Sequence, residues 1–140
     1  MVWATMEQSQ SSGNGSKADA SHSVLLVDDE QAFSTIMGII LKLSGFTVQR
    51  VSSATQALEL LSQSTPDLIL ADVMMPEIDG LTLVRRLRSE PAWSEIPTVV
   101  VTAKSGPETV AAAKQAGANA FLAKPFSAEE LRDAIRPLLR

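Results

Sequence analysis

Asp28, Asp29, Asp72, Thr102 and Lys124 each stand at the end of a short apolar run. Val24-Leu25-Leu26-Val27 leads into Asp28 and Asp29, and Leu68-Ile69-Leu70-Ala71 into Asp72. Val99-Val100-Val101 leads into Thr102, and Phe121-Leu122-Ala123 into Lys124 and then Pro125. These are residue types that handle phosphoryl groups and divalent metals. Clustered carboxylates repel one another unless a cation neutralises them. A hard divalent ion such as Mg2+, with oxygen ligands and several retained waters, does this. A carboxylate beside such an ion and a fixed ammonium is equipped to attack phosphorus and form an aspartyl phosphate. Lys124 would then neutralise phosphoryl oxygens as a point charge, and the Thr102 hydroxyl would donate to one of them. Alone, an Asp-Asp pair does no more than cap the following helix. The convergence of Asp72 with that pair is what favours a cation site.

That convergence requires the apolar runs to be neighbouring parallel strands. The segments between them carry helical periodicity. Over 30–44, Phe33, Ile36, Met37, Ile40 and Leu41 recur at helical spacing, and Gly45 follows as a helix stop. Thr47–Val51 reads as a strand. Ser52 or Ser53 caps a helix over 54–63, with Ala57, Leu58 and Leu61 facing inward. Pro66 and Asp67 precede the strand at 68–71, and a loop over 73–80 holds Met75-Pro76 and Asp79-Gly80. The next helix, 81–89, buries Leu83, Val84 and Leu87 and shows Arg85, Arg86 and Arg88 to solvent. Pro91 and Pro97 bracket a loop with Trp93 before the strand at 98–101. A helix over 107–116 has Pro107 in its first turn and Gly117 beyond its end. After the strand at 120–123, Ser127 with Glu130 forms a capping-box pattern for a helix over 128–139, which Pro137 should fray or kink.

The sum is an α/β chain, (βα)5, with a doubly wound five-stranded parallel sheet of order 2-1-3-4-5, a flavodoxin-like architecture. Its strands are continuous apolar runs rather than alternating ones, as a sheet covered on both faces requires. Open parallel sheets bind ligands beyond the carboxyl ends of their strands, where all five polar residues would meet.

Bulk properties agree with one such domain. The chain has 140 residues, 45% of them hydrophobic, enough for a core without staples. With 0 Cys, disulfide frameworks and cysteine-based metal or redox sites are excluded. The net charge of -4 gives no basic footprint for nucleic acid. No stretch approaches the roughly 20 apolar residues of a membrane span, and no secretory signal opens the chain, so a cytoplasmic location is expected. Residues 1–22 have a disordered, linker-like composition around Ser11-Ser12-Gly13-Asn14-Gly15-Ser16, with Trp3 an incidental aromatic and His22, the sole histidine, a solvent-exposed tail residue. The domain is placed at 23–140.

In this setting the chain resembles a response regulator receiver domain, the family of the bacterial chemotaxis regulator. The resemblance is carried by Val-Leu-Leu-Val-Asp28-Asp29-Glu30, by Asp72-Val-Met-Met-Pro76 with Asp79-Gly80, by Val-Val-Val-Thr102-Ala103-Lys104, and by Ala116-Gly117-Ala118 leading to Phe121-Leu-Ala-Lys124-Pro125-Phe126. It implies that Asp72 is the phosphoacceptor. It implies further that Asp28, Asp29 and the main-chain carbonyl of Met74 hold Mg2+ together with Asp72. Thr102 matches the switch hydroxyl, Ala103 the small residue that leaves room for the phosphoryl group, Phe121 the aromatic coupled to the switch, and Lys124 the family lysine, whose bond to Pro125 is typically cis. No position departs from the pattern.

The implied function is a phosphorylation-activated switch of a two-component system. The phosphoryl group would come from a histidine kinase or histidine phosphotransfer protein, since His22 is no credible donor. The readout would be a downstream protein target, met through the fourth helix, fifth strand and fifth helix, and a phosphorylation-dependent homodimer is a further implied partner. The chain itself would bind neither nucleic acid nor membrane and would catalyse only its own phosphorylation and dephosphorylation. It reads as a stand-alone regulator or as a receiver excised from a larger protein, with Met1 or Met6 as its start. Met75 is expected to pack. Met74 is expected to hinder an attacking water, and Lys104 to act as a weaker modulator at the site mouth. A competing class is a Mg2+-dependent phosphohydrolase with Asp72 as nucleophile. Against it, Met74 stands where that class has a general acid. A nucleotide-binding reading lacks a glycine-rich turn after the first strand.

Overall fold

The computed structural model describes residues 22–139. The linker expected before them lies outside the described residues, except for His22. Five strands and five helices alternate: β1 Ser23–Val27, α1 Gln31–Leu43, β2 Thr47–Val51, α2 Ala54–Leu61, β3 Leu68–Asp72, α3 Gly80–Ser89, β4 Thr98–Thr102, α4 Pro107–Ala116, β5 Ala120–Ala123 and α5 Ala128–Ile135. All strand pairs are parallel, in the order β2-β1-β3-β4-β5. This is the expected doubly wound sheet.

Alternation along the strands splits the core between the two faces. Val24, Leu26, Leu68, Leu70, Val99, Val101 and Leu122 meet Met37 and Leu41 of α1 and Leu131, Ala134 and Ile135 of α5. On the opposite face, Leu25, Val27, Ile69 and Ala71 meet Ala57 and Leu61 of α2 and Leu83 and Leu87 of α3. Val100 and Phe121 continue that layer against Val84 of α3 and Ala113 and Ala116 of α4. The central strands β3 and β4 are buried along their whole length. The edge strand β2 departs from the apolar pattern, exposing Thr47, Gln49 and Arg50.

Helix ends follow their local chemistry. The Ser53 and Asp79 side chains accept from the backbone N–H of Gln56 and Thr82, at 3.1 and 2.8 Å. Ser127 and Glu130 make both bonds of the capping box. Gly45 and Gly117 stand just past α1 and α4 with φ of 99° and 105°, a region a side chain would strain. The helix expected to reach residue 63 stops at Leu61, where the Ser62 hydroxyl donates to the Glu59 carbonyl at 2.7 Å and competes with the helix ladder. The last helix becomes a 3-10 turn over Arg136–Leu138 at Pro137.

Three expectations are corrected. Ile36 does not face the sheet but is 56% exposed. It lies roughly 100° around the helix from Met37, on the flank rather than the core-facing stripe. Arg88 is not part of a solvated face: its Nε donates to the Gly117 carbonyl at 3.0 Å and its Nη2 to Asn119 Oδ1 at 2.8 Å. Burial pulls its pKa down, and Glu95 opposes that shift. His22 is half-buried rather than a free tail residue, and its carbonyl accepts from Thr47 N–H at 2.9 Å, extending the β1–β2 ladder by one step.

Candidate functional site

Register brings the polar strand ends together. Val27 pairs with Ala71, so Asp28 and Asp72 emerge side by side from β1 and β3. Asp72 pairs with Val101, which sets Thr102 one step further along β4, and Thr102 pairs with Ala123, so Lys124 follows next door. Strand β3 includes Asp72 and β4 includes Thr102, one residue beyond each expected strand. The ladder runs on past the site: Val73 N–H donates to the Val101 carbonyl at 2.8 Å and Lys124 N–H to the Thr102 carbonyl at 2.9 Å. The residues that must meet are therefore fixed by main-chain bonds.

The acids form one cluster. A carboxylate oxygen from each of Asp28, Asp29 and Asp72 lies within 4.8 Å of the others. Asp28 is 1% exposed and Asp72 5% exposed, whereas Asp29 is open to solvent. Asp28 also does the bland work of a cap, since its Oδ1 accepts from Glu30 N–H at 2.8 Å. Its Oδ2 is turned to the site and accepts from Lys124 Nζ at 3.1 Å. The same ammonium lies 3.4 Å from Asp72 Oδ2 and 3.4 Å from Glu30 Oε1. Asp72 Oδ1 accepts from the backbone N–H of Met74 at 3.2 Å, which fixes the carboxylate plane.

Charge is poorly balanced without a cation. Burial and then the neighbouring Asp28 carboxylate push the Asp72 carboxyl up from 3.8 to about 6, against the opposing pull of Lys124. For Lys124, burial would lower the pKa, but Asp72, Asp28 and Glu30 together outweigh it and hold the ammonium above its usual range. An excess of carboxylates around one ammonium, with oxygen donors converging, suits a hard divalent ion. The residues present therefore fit a metal of the Mg2+ type.

The remaining predicted residues are near but differently engaged. Thr102 is fully buried, and its hydroxyl accepts from Lys104 N–H at 3.1 Å, with no bond to Asp72 or Lys124 among the described residues. Phe121 is fully buried beneath α3 and α4, on β5, three residues before Lys124, which follows directly after that strand. Met74 is 50% exposed beside Asp72, while Met75 packs into the core. The Lys124–Pro125 bond is cis. Three contributors escaped sequence reasoning as members of the site. Glu30, directly after the acid pair, reaches Lys124. The Phe33 ring lies 4.0 Å beneath Lys124 Nζ, although its spacing signalled only core. Gly80 allows α3 to pass against the main chain of Asp72.

A doubly wound parallel sheet with an acid cluster and a lysine at the carboxyl ends of its strands is an open α/β fold with a ligand-ready edge suited to a cation. Comparison with known proteins sharpens this class. Residues 24–136 match the family described as response regulator receiver domain. The response regulator MprA of Mycobacterium ulcerans is 38% identical over 117 residues, 84% of this chain and 50% of that protein. The DNA-binding dual master transcriptional regulator RpaA of Synechocystis is 35% identical over 117 residues, 84% of this chain and 48% of that protein. The chain thus spans about half the length of these relatives. Among solved structures, the receiver domain of a signal transduction histidine kinase from Syntrophus aciditrophicus superposes with a TM-score of 0.79 at 33% identity, covering 84% of this chain and 89% of that one. The chemotaxis response regulator CheY4 of Vibrio cholerae gives 0.79 at 28% identity, covering 84% and 98%. The chain belongs to the response regulator receiver domain family, the phosphorylation switch of two-component signalling. No helix among the described residues is long and apolar enough to cross a membrane.

Proposed function

We propose that Asp72 accepts a phosphoryl group from the phosphohistidine of a partner histidine kinase or histidine phosphotransfer protein. An Asp72 carboxylate oxygen attacks phosphorus, the P–N bond to the donor imidazole breaks, and the imidazole leaves and takes up a proton while the new P–O bond forms. The reading rests above all on one observation: Lys124 Nζ stands 3.4 Å from the buried Asp72 carboxylate, at the sheet edge where the acids cluster. Asp28, Asp29, Asp72 and the main-chain carbonyl of Met74 would hold Mg2+, which supplies neutralisation of the phosphoryl oxygens when bound. Lys124 orients one phosphoryl oxygen by charge. Thr102 gives up its bond from Lys104 N–H and donates its hydroxyl to another.

The signal then leaves through the core. Movement of Thr102 is felt by Phe121 on the adjacent strand, and through it by α4, with which Phe121 packs. The face of α4, β5 and α5 becomes the readout for a downstream protein target or a second copy of the chain, a local charge event biasing a two-state element. The domain turns over no free substrate and contacts no nucleic acid itself, and its site faces the cytoplasm where such donors reside. MprA and RpaA are each about twice as long as the matched region, and this domain acts either as a stand-alone regulator or as the receiver of a longer protein of that kind.

Intact mass spectrometry after incubation with Mg2+ and phosphoramidate tests the assignment. One phosphoryl adduct on the wild type, absent from Asp72→Ala, is expected. An adduct that survives in Asp72→Ala would place the acceptor elsewhere. Repeated phosphate release from small phosphomonoesters would instead favour the phosphohydrolase.

A further inference from the structure

Lys124 is held by one partner that is not a carboxylate. Phe33, in the first turns of α1, presents its ring 4.0 Å from Lys124 Nζ. Phe126 stands against that ring in a T-shaped contact, with centroids 5.8 Å apart and planes at 83°. The lysine side chain is only 12% exposed, so the ammonium and the ring meet with little intervening water. An ammonium over an aromatic face is attracted by the ring's negative quadrupole, more strongly when desolvated. Edge-to-face packing by Phe126 fixes the plane of the Phe33 ring and keeps its face under Nζ.

Two of the three carboxylates around Nζ are shared, while the third, the 62% exposed Glu30 at 3.4 Å, lies outside the acid cluster. Asp28 and Asp72, at 3.1 and 3.4 Å, both belong to the acid cluster that fits a divalent ion. A cation entering that cluster, or a phosphoryl group arriving on Asp72, competes for the oxygens that hold the lysine. A hard cation takes oxygen ligands and leaves an aromatic face alone. Beside the solvent-exposed Glu30, the ring is thus a partner that persists, on the less exposed side, when Asp28 and Asp72 are recruited elsewhere.

We propose that Phe33 is a positioning residue for phosphoryl transfer, its ring face keeping the Lys124 ammonium over Asp72 while the Asp28 and Asp72 carboxylates are taken up by cation and phosphoryl group. The proposal rests on Asp72 as acceptor, and it adds to that reading a residue on a different element that acts only through Lys124. Leucine at this position would fill much of the space but offer no quadrupole.

The test uses the full chain with phenylalanine at position 33 replaced by its mono-, di- and trifluorinated analogues, which keep the shape while draining the ring's negative face. Asp72 phosphorylation by phosphoramidate at saturating Mg2+ is expected to slow with each fluorine, to about fivefold slower at three. Phe33→Trp should retain the rate and Phe33→Leu lose it. A flat fluorination series overturns the proposal, even if Phe33→Leu is slow, because packing alone would then explain the loss. A second readout needs no phosphorylation. The Lys124 ε-methylene protons, lying over the ring, should resonate upfield and return to ordinary shifts in Phe33→Leu. Unshifted resonances in the wild type also overturn it. A wild type that shows the shift but takes no phosphoryl group overturns instead the assignment of Asp72, and with it any positioning role for Phe33 in transfer.

Discussion

A methyl group on Gly80 would overlap the main-chain carbonyl of Asp72 and come within 2.9 Å of Val73 Cα. The start of α3 thus rests directly on the backbone of the residue assigned as phosphoacceptor, and Gly80 N–H donates to the Val73 carbonyl at 3.0 Å to hold it there. Backbone cannot yield as a flexible side chain does. Gly80→Ala should cost about 1–3 kcal/mol by overpacking and should displace Asp72. Gly106→Ala is the control, because its added methyl would meet only the Glu108 carboxylate end at 3.0 Å. Urea denaturation of the two variants should separate them clearly, and equal small losses would show that the α3 start can shift freely.

Asp72 gives the metal-free protein a pH-dependent weakness. Its carboxyl is raised from 3.8 to about 6, first by burial and then by Asp28, so the fold favours the protonated form. That contribution is complete below about pH 4 and is lost as pH rises through about 6. Asp72→Asn should therefore match the wild type near pH 4 and exceed it at pH 7 by on the order of 2 kcal/mol. Denaturant midpoints at the two pH values, without metal, check this. Added Mg2+ should then raise the wild type more than the variant, whose amide neither carries the charge nor offers the same ligand. An identical difference at both pH values would contradict the shift.

Met74 is half exposed beside Asp72 and offers a water no hydrogen bond. Met74→Asn would supply one. A hydrogen bond to the attacking water is worth about 1 kcal/mol, or roughly fivefold in rate, so the phosphoryl lifetime on Asp72 should shorten by that order. Loss of the adduct followed by mass over time measures it. An unchanged lifetime would mean that this side chain does not gate water.

Arg88 and its neighbours on α3 should behave differently from one another. Arg88 joins α3 to the turn after α4 through Gly117 and Asn119, and Asn119 Oδ1 also accepts from Thr98 N–H at 2.8 Å. Arg88→Ala removes two bonds from one charged donor at a half-buried site and should cost about 2 kcal/mol. Arg85→Ala and Arg86→Ala, on the exposed face, should stay within about 0.5 kcal/mol of the wild type. Thermal or urea unfolding of the three distinguishes them.

Much of the fold was legible because its signals are local. The apolar runs, the Ser53 and Ser127 caps and the glycines after α1 and α4 each act within a few residues, and the sheet order followed from right-handed crossovers. The strand ends Asp28, Asp29, Asp72 and Lys124 could be gathered on paper because parallel register converts similar positions in strands into neighbours in space. What escaped depends on partners far along the chain. Arg88 looked solvated because periodicity reports the side of one helix, not a carbonyl 29 residues away. Ile36 looked internal because an apolar residue at the rim of a stripe satisfies the same period as one at its centre. Phe33 was read as core, which it partly is, but its meeting with Lys124 joins positions on α1 and beyond β5 that no spacing rule connects. Glu30 carried a local hint, standing beside two acids, that its motif alone could not turn into a role.

The character of β2 bears on how the domain tolerates crowding. A sheet margin with free main-chain donors and acceptors invites strand-by-strand growth into aggregates. Here one margin shows Thr47, Gln49 and Arg50 to water, and Arg50 reaches across to the Ser34 and Thr35 hydroxyls of α1, both at 3.0 Å. At the opposite margin β5 is only four residues long, and Pro125, which has no N–H to offer, follows one residue after it. Both margins of the sheet are thereby blunted against strand-by-strand growth.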